Sequence, residues 1–299
     1  MTADLFVPSA QRVGIALGCG LAAIVAAERH HLRALPRRTL FLRWRTWAVT
    51  APLYGAAVMW SRWGAVAFVT LLAWQGMREY ARLVQLPPFE RRVLYVAGIA
   101  SAPVAAWSLT LWRAMPPILL VAATIPPLVR QDVRDGVRHL AYAALGFAYV
   151  PWLLTYFILV REHVVGGPGI LLALGVAVAA SDVFAFVIGR SFGRHPLAPM
   201  VSPAKTWEGV LGNVVGATLG FWLMSFALPD GLNPVVRAVL PAVVAVACVW
   251  GDLVESLIKR QFGAKDAGSW LPGFGGLLDR IDSLIVVLPV AYTVLVIFG

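Results

Sequence analysis

The sequence predicts an all-α integral membrane protein that crosses the bilayer about nine or ten times. Three observations lead to this fold class. Hydrophobic residues make up 60% of the 299 residues, charged residues only 13%, and the mean hydropathy is +0.77. Soluble domains carry about 25% charged residues, so roughly half of the usual charge is missing. The two cysteines both lie in apolar runs, which excludes a disulfide framework and a zinc site.

Ten apolar runs are candidates for the spans, because a membrane-crossing helix needs about 20 mainly apolar residues. They cover residues 13–27, 46–61, 63–77, 93–112, 115–129, 139–160, 167–188, 209–228, 235–255 and 283–298. The first run has no convincing signal-peptide features, so we expect a retained helix. Two assignments are weak: 115–129 contains four prolines, and Arg62 is the sole charge that divides 46–77. Nine spans are therefore an alternative to ten.

The basic residues orient the predicted spans. Strict alternation places 20 of the 25 Lys and Arg residues on one side, in the loops 28–45, 78–92, 130–138, 189–208 and 256–282. Cytoplasmic loops carry such an excess, so we expect these loops in the cytoplasm and both termini outside, in the cell (inner) membrane. Charge dispersed over short loops favours a membrane surface and phosphate ligands over nucleic acid. We divide the chain into an N-terminal transmembrane bundle, 1–138, and a C-terminal catalytic region, 139–299.

Acidic residues interrupt two of the C-terminal apolar runs. Asp182 and Asp252 both stand in otherwise apolar sequence near the predicted cytoplasmic ends. A carboxylate at the centre of a membrane costs about 2.5–3.5 kcal/mol on insertion scales, so each needs a metal, a basic partner or a water-filled cavity. Asp252, Glu255, Ser256 and Lys259 have the spacing of one helical face, if the helix continues past the membrane edge.

The segment 256–282 combines carboxylates, cations and glycines. Asp279 and Asp282 are three residues apart, and five glycines precede them from Gly263 onward. Glycine-rich loops bring backbone N–H groups close to oxyanions, and hard carboxylate oxygens favour Mg²⁺. This set indicates phosphoryl or nucleotidyl transfer; an ion or proton pathway and a structural charge network are the alternatives. The spacing in "GNVVGATLG" predicts a helix-packing face at residues 212–220.

The segment Ser256–Asp282, "SLIKRQFGAKDAGSWLPGFGGLLDRID", resembles the signature of the phosphatidate cytidylyltransferases, also called CDP-diacylglycerol synthases. It matches 13 of the 14 fixed positions of the pattern S-x-x-K-R-x4-K-D-x-G-x3-P-G-H-G-G-x-x-D-R-x-D. "SPAKTWEG", at Ser202–Gly209, resembles a second motif of the family. One position departs from the pattern, because Phe274 stands where the family has histidine.

The resemblance implies that phosphatidic acid attacks the α-phosphorus of CTP, giving CDP-diacylglycerol and pyrophosphate with Mg²⁺ as cofactor. A homodimer is typical of the family. The implied residues are catalytic Lys259, Arg260, Asp279 and Arg280, substrate-binding Ser202, Lys205, Lys259, Lys265, Gly275 and Gly276, and metal-binding Asp182, Asp252, Asp279 and Asp282. Glu255 and Asp266 are expected to orient the cations, and His195 to be solvated; the alternative for Ser202–Gly209 is an ordinary loop in which Glu208 caps the next helix. The alternatives are a CTP-dependent kinase of a membrane alcohol and a non-catalytic homologue or transporter, which the Phe274 departure keeps open.

Overall fold

Long α-helices form almost all of the protein. A computed structural model describes residues 2–27, 39–268, 270 and 275–299. The helices are α1 (Thr2–Ala27), α2 (Thr39–Met59), α3 (Arg62–Leu83), α4 (Pro88–Trp107), α5 (Leu109–Val129), α6 (Gly136–Phe147), α7 (Tyr156–His163), α8 (Gly167–Phe192), α9 (Trp207–Leu223), α10 (Pro234–Gln261) and α11 (Leu278–Phe298). One π-helical turn, Ala148–Trp152, joins α6 to α7. Strands β1 (Pro196–Ala198) and β2 (Ser202–Thr206) pair antiparallel between α8 and α9.

The predicted apolar runs fall largely in these helices, with two boundaries wrong, because the run 209–228 passes the end of α9 at Leu223 and another run joins α4 to α5. The prediction ended a span at residue 112, but α4 ends at Trp107 and α5 begins at Leu109. Ser108 explains the break, because its Oγ accepts a hydrogen bond from the Leu111 backbone N–H at 3.3 Å and caps the start of α5. Arg113, expected in a loop, consequently lies inside α5.

The helices have the length and composition of membrane spans. Within the part of the chain that the structure describes, five segments are long and apolar enough to cross a membrane: Leu109–Val129, Gly136–His163, Gly167–Phe192, Pro234–Gln261 and Leu278–Phe298. Large apolar side chains also point outward, including Val96, Val121 and Trp222, which are 70%, 68% and 73% exposed. Extended apolar surface of this kind suits lipid and not water. The chain is a multi-pass membrane protein.

Glycines bring α8 and α9 into backbone contact, which confirms the predicted packing face. A Cβ added at Gly216 would lie 2.4 Å from the Ala180 carbonyl oxygen, and one at Gly212 would lie 2.6 Å from the Phe184 carbonyl oxygen. Small residues permit this close approach between helices. Because α8 carries Asp182 and β2 leads directly into α9, this contact sets the distance between Asp182 and the hairpin.

A second close contact joins α10 to α11. A Cβ at Gly251 would lie 2.5 Å from the Asp282 carbonyl oxygen, so the two backbones touch where each helix carries a carboxylate. Buried residues from both predicted regions, 1–138 and 139–299, pack in one hydrophobic core, which includes Met77 of α3 and Leu288 of α11. The N-terminal helices therefore support the C-terminal ones directly.

Candidate active site

The polar residues predicted to act together lie where several helices end. The C-terminal ends of α8 and α10, the start of α11 and the β1–β2 hairpin meet in this region. Arg260, at the end of α10, donates from Nε to the Val201 carbonyl oxygen at 3.3 Å and from Nη1 to the Ala264 carbonyl oxygen at 3.2 Å. This exposed side chain thus ties the hairpin to the loop that follows α10.

Lys205 and Asp252 form an ion pair that links the motif Ser202–Gly209 to α10, four residues before the signature segment begins. Lys205 lies on β2 and Asp252 on α10; the side chains are 24% and 30% exposed. The Ser283 hydroxyl, on α11, lies 3.4 Å from Asp252 Oδ1 as a hydrogen-bond donor. Asp182 of α8 interacts electrostatically with both members of the pair and with Arg280. A partly exposed cluster of two acids and two bases therefore forms from four separate elements.

Lys259 is held by two carboxylates in the protein interior. Its Nζ lies 2.6 Å from Glu255 Oε2 and 2.7 Å from Asp279 Oδ1. The three side chains are only 12%, 2% and 4% exposed. The helix continues to Gln261, so the predicted face of α10 exists, and Glu255 contacts a cation as expected. In this arrangement, Lys259 joins α10 to α11 and is not presented to solvent.

Asp279 organises the loop between α10 and α11. Its Oδ2 accepts hydrogen bonds from the Ala267 N–H at 3.0 Å and the Gly276 N–H at 2.8 Å. Gly275 has a φ of +85°, and a Cβ there would lie 3.0 Å from Asp279 Oδ2. Glycine suits this left-handed conformation, which a side chain would strain. The N–H groups of Ala267 and Gly276 are therefore hydrogen-bonded to Asp279 in this structure, whereas the sequence suggested that the glycine loop binds a phosphate.

Glu79 of α3 also grips this loop, and the sequence analysis missed it. Glu79 is 1% exposed and accepts the Leu277 N–H at 3.0 Å and the Leu278 N–H at 2.8 Å. The Gln75 side-chain amide donates a third hydrogen bond, at 2.8 Å. A sequence signal existed, because Glu79 follows an apolar run and lies one helical turn after Gln75. Its partners, however, are about 200 residues away along the chain.

The acids have the chemistry that a hard divalent cation prefers. Asp282 is 6% exposed and interacts electrostatically with Asp252, Glu255 and Asp182. Among the described residues, Glu255 Oε1 and the Tyr149 hydroxyl are buried without a hydrogen-bond partner. Buried polar atoms of this kind usually bind water or an ion.

The donor positions fit magnesium only in part. Within residues 2–27, 39–268, 270 and 275–299, no three acidic, histidine or cysteine side chains are close enough to hold a metal ion. Mg²⁺ is usually held by one or two protein carboxylates together with substrate phosphates, so a pair of acids suffices. Asp182, Asp252 and Asp282 meet that requirement by chemistry and proximity. The metal role of Asp279 stays a prediction; both of its oxygens accept hydrogen bonds in this structure, as both oxygens of Asp252 do.

Other predicted site residues lie at the same end of the protein and differ in their exposure to solvent. Lys265 and Arg280 are exposed, and Ser202 begins β2. Asp266, expected to orient a cation, is exposed. Three positions of the signature, Pro272, Gly273 and Phe274, lie outside the described residues, so the departure at Phe274 has no structural account here.

A contact between His195 and Glu208 closes the hairpin. His195 lies in the loop before β1 with its side chain 75% exposed, as predicted, and its Nδ1 lies 2.6 Å from Glu208 Oε1. Hydrogen bonds from the His195 ring and from backbone N–H groups, including that of Arg194, lower the pKa of Glu208 to about 2. Thr206 caps α9 instead of Glu208, since its Oγ1 accepts the Gly209 N–H at 3.1 Å.

Comparison with known proteins decides the family. The sequence model of the cytidylyltransferase family matches residues 41–298, which include every polar residue of the site described above. The chain belongs to the cytidylyltransferase family. The match begins within α2, so the family accounts for the helices of both halves and not for the signature segment alone.

Curated relatives of this chain include named enzymes. A phosphatidate cytidylyltransferase of Mycobacterium leprae is 43% identical over 169 residues, which are 56% of this chain and 52% of the relative. A phosphatidate cytidylyltransferase of Pseudomonas aeruginosa is 34% identical over 230 residues, 75% of this chain and 83% of the relative. An Escherichia coli protein, called uncharacterized protein YnbB, is 30% identical over 89% of this chain and 91% of its own length. The chain thus spans about half of the first relative and most of the other two.

Proposed function

We propose that this member of the cytidylyltransferase family transfers CMP from CTP to phosphatidic acid, which yields CDP-diacylglycerol and pyrophosphate. One observation carries the proposal most directly. Lys205 and Asp252, which are 47 residues apart along the chain, form an ion pair beside Asp182 and Arg280 at one end of an apolar helical bundle. The names of the Mycobacterium leprae and Pseudomonas aeruginosa relatives support the choice of phosphatidic acid as the acceptor.

The proposed reaction exchanges one phosphorus–oxygen bond for another. A phosphate oxygen of phosphatidic acid forms a bond to the α-phosphorus of CTP, and the bond to the bridging oxygen of the β-phosphate breaks. Pyrophosphate leaves with that bonding pair. The attacking phosphate is already ionised, so no strong general base is needed. The obstacle is repulsion between two anions, which positioned cations lower.

The cations that reach solvent are the ones we assign to this task. Lys205, Arg260, Lys265 and Arg280 are partly or fully exposed at the same end of the protein. Arg280 and Lys205 both interact with Asp182, which places them on one cluster. Lys259 is buried between Glu255 and Asp279, and we assign it to holding α10 against α11.

We also propose Mg²⁺ as the cofactor, held by a pair of carboxylates from the set Asp182, Asp252 and Asp282 together with the nucleotide phosphates. When bound, the ion would neutralise negative charge on the nucleotide phosphates. Lys205 and Ser283 control how Asp252 is available to the ion. Lys205 competes with any cation for Asp252, so we expect it to turn toward the nucleotide phosphates when the nucleotide binds. Ser283 then continues to orient the Asp252 carboxylate through its hydroxyl.

The site is proposed to face the cytoplasm of a bacterial cell, within the inner membrane. The distribution of basic residues supports this orientation, because strict alternation of the predicted spans puts 20 of the 25 on the side that carries the signature segment. CTP would then reach the site from the cytoplasm, while the lipid would arrive sideways from the bilayer. Nine or ten spans, with both termini outside, belong to the same proposal.

The test uses the full chain in vesicles that contain phosphatidic acid, supplied with CTP and Mg²⁺. We expect CDP-diacylglycerol and pyrophosphate in equal amounts. Lys205→Met should lower kcat/KM for CTP by about 100-fold, since it removes a charge from the phosphate site. Arg237→Met is the matched control, because Arg237 lies at the opposite end of α10 and should leave turnover unchanged. Release of CDP would instead identify a kinase, and equal activity of the Lys205 variant would reject the site.

A further inference from the structure

Glu79 bridges the N-terminal helices and the signature loop. It lies on α3, outside both motifs by which the family was first suggested. Each carboxylate oxygen accepts one backbone N–H at the start of α11, Oε1 from Leu277 and Oε2 from Leu278. The first N–H groups of a helix have no partner within the helix, and a negative charge there is favourable. Glu79 therefore caps α11 from a distant part of the chain.

The loop is shaped around this carboxylate from both ends. A Cβ at Gly268 would lie 2.9 Å from Glu79 Cδ, and a Cβ at Gly276 would lie 2.6 Å from Glu79 Oε2. Gly268 and Gly276 are themselves in close contact, since the same added Cβ on Gly276 would lie 2.8 Å from the Gly268 nitrogen. Both glycines are therefore needed for the loop to close on Glu79.

The held segment carries the residues of the proposed site. Asp279, Arg280 and Asp282 follow Leu278 directly in the first turns of α11. Glu79 and Lys259 grip this segment from different helices, α3 and α10. The direction in which Arg280 and Asp282 project thus depends on where Glu79 places the start of α11.

We propose that Glu79 is a positioning residue for cytidylyl transfer. It touches neither substrate; it fixes the start of α11 so that Asp282 and Arg280 face Asp252 and Asp182. Because this role presupposes the proposed function, it needs one readout that depends on turnover and one that does not. Catalysis is sensitive to such placement, and a displacement of about 1 Å costs about 100-fold in rate.

The kinetic test compares Glu79→Gln with Glu90→Gln in phosphatidate-containing vesicles. Glu90 is a matched control, because it is 7% exposed on the neighbouring helix α4 and pairs with Arg130 instead of the loop. Glutamine keeps the volume of Glu79 but offers one acceptor oxygen to two N–H groups. We expect Glu79→Gln to lower kcat about 100-fold per folded molecule, with KM for CTP changed less than threefold. An unchanged kcat, or a lower kcat/KM that results entirely from a higher KM for CTP, would overturn the positioning role.

Hydrogen–deuterium exchange of the amides of 275–282 tests the same claim without turnover. Glu79→Gln should accelerate exchange in this segment at least tenfold, and Glu90→Gln should leave it as in the wild type. Equal protection in both variants would overturn the proposal even if the enzyme were active. If the wild-type protein makes no CDP-diacylglycerol but the two variants show the predicted difference in exchange, the proposed function is rejected and the capping of α11 by Glu79 stands.

Gly268→Ala provides a second route if Glu79→Gln does not fold. The added methyl group would push on the Glu79 carboxylate from the loop, with the buried acid still present. Gly231→Ala is its control, since nothing lies within 4 Å of a Cβ there. We expect Gly268→Ala to lower kcat at least tenfold and Gly231→Ala to have no effect. Wild-type kcat in Gly268→Ala would count against the role of Glu79.

Discussion

Replacement of Lys259 by methionine should destabilise the protein strongly, because two buried carboxylates would lose their shared cation. Lys259 lies 2.6 Å from Glu255 and 2.7 Å from Asp279, and these two acids are 2% and 4% exposed. Removing one partner of a buried ion pair costs about 3–5 kcal/mol, since the other charge stays buried. A loss of this size lowers the melting temperature by on the order of 10 °C in a chain of this length.

Cys248 provides a direct assay for this prediction. Its side chain is fully buried in the core, whereas Cys19 is exposed. A thiol-reactive fluorophore in a Cys19→Ser background therefore reports unfolding through the exposure of Cys248. The double variant Lys259→Met/Asp279→Asn should lose less than the sum of the two single variants, by about 1–3 kcal/mol. Additive losses, within about 0.5 kcal/mol, would refute the pairing of Lys259 with Asp279.

Three further predictions address the metal, the helix packing and the hairpin. Asp252→Asn should raise the Mg²⁺ concentration for half-maximal velocity about tenfold, and an unchanged Mg²⁺ dependence would remove Asp252 from the metal site. Gly216→Val should lower the free energy of unfolding by about 1–3 kcal/mol, because the new side chain meets the α8 backbone. Gly18→Val is the control and should leave the free energy of unfolding unchanged, since nothing lies within 4 Å of a Cβ there. Equal losses in the two variants would refute the packing. The stabilisation by Glu208, whose pKa is lowered to about 2, should be fully present above about pH 4.5 and lost toward pH 2. The melting-temperature gap between wild type and Glu208→Gln should close over that range, and a gap independent of pH would contradict the prediction.

The sequence was sufficient for the membrane helices because hydrophobicity is a local property. Most residues of the apolar runs fall in helix, and glycines 212, 216 and 220 mark a real contact between α8 and α9. The break between α4 and α5 was placed wrongly because Ser108, a single capping residue in apolar sequence, decides it. The short hairpin was missed for a similar reason, since strands of three and five residues carry too little periodicity to be read.

The sequence pointed to the residues of the proposed site, but it could not show which of them pair with each other. Helical spacing correctly placed Asp252 and Lys259 on one continuous helix. It could not show that Lys205 would pair with Asp252 while Lys259 turned toward Asp279, because both choices depend on how distant segments fold together. Glu79 shows the limit most clearly, since its role depends wholly on backbone groups at the far end of the chain.

The fate of the CTP phosphates tests the central claim most directly. CTP labelled at the α-phosphorus with one isotope and at the γ-phosphorus with another is supplied to the protein in phosphatidate vesicles. Cytidylyl transfer predicts the α-label in the lipid and the γ-label in pyrophosphate, in equal amounts, with both signals reduced in Lys205→Met. The γ-label in the lipid, or neither label there, would contradict the account.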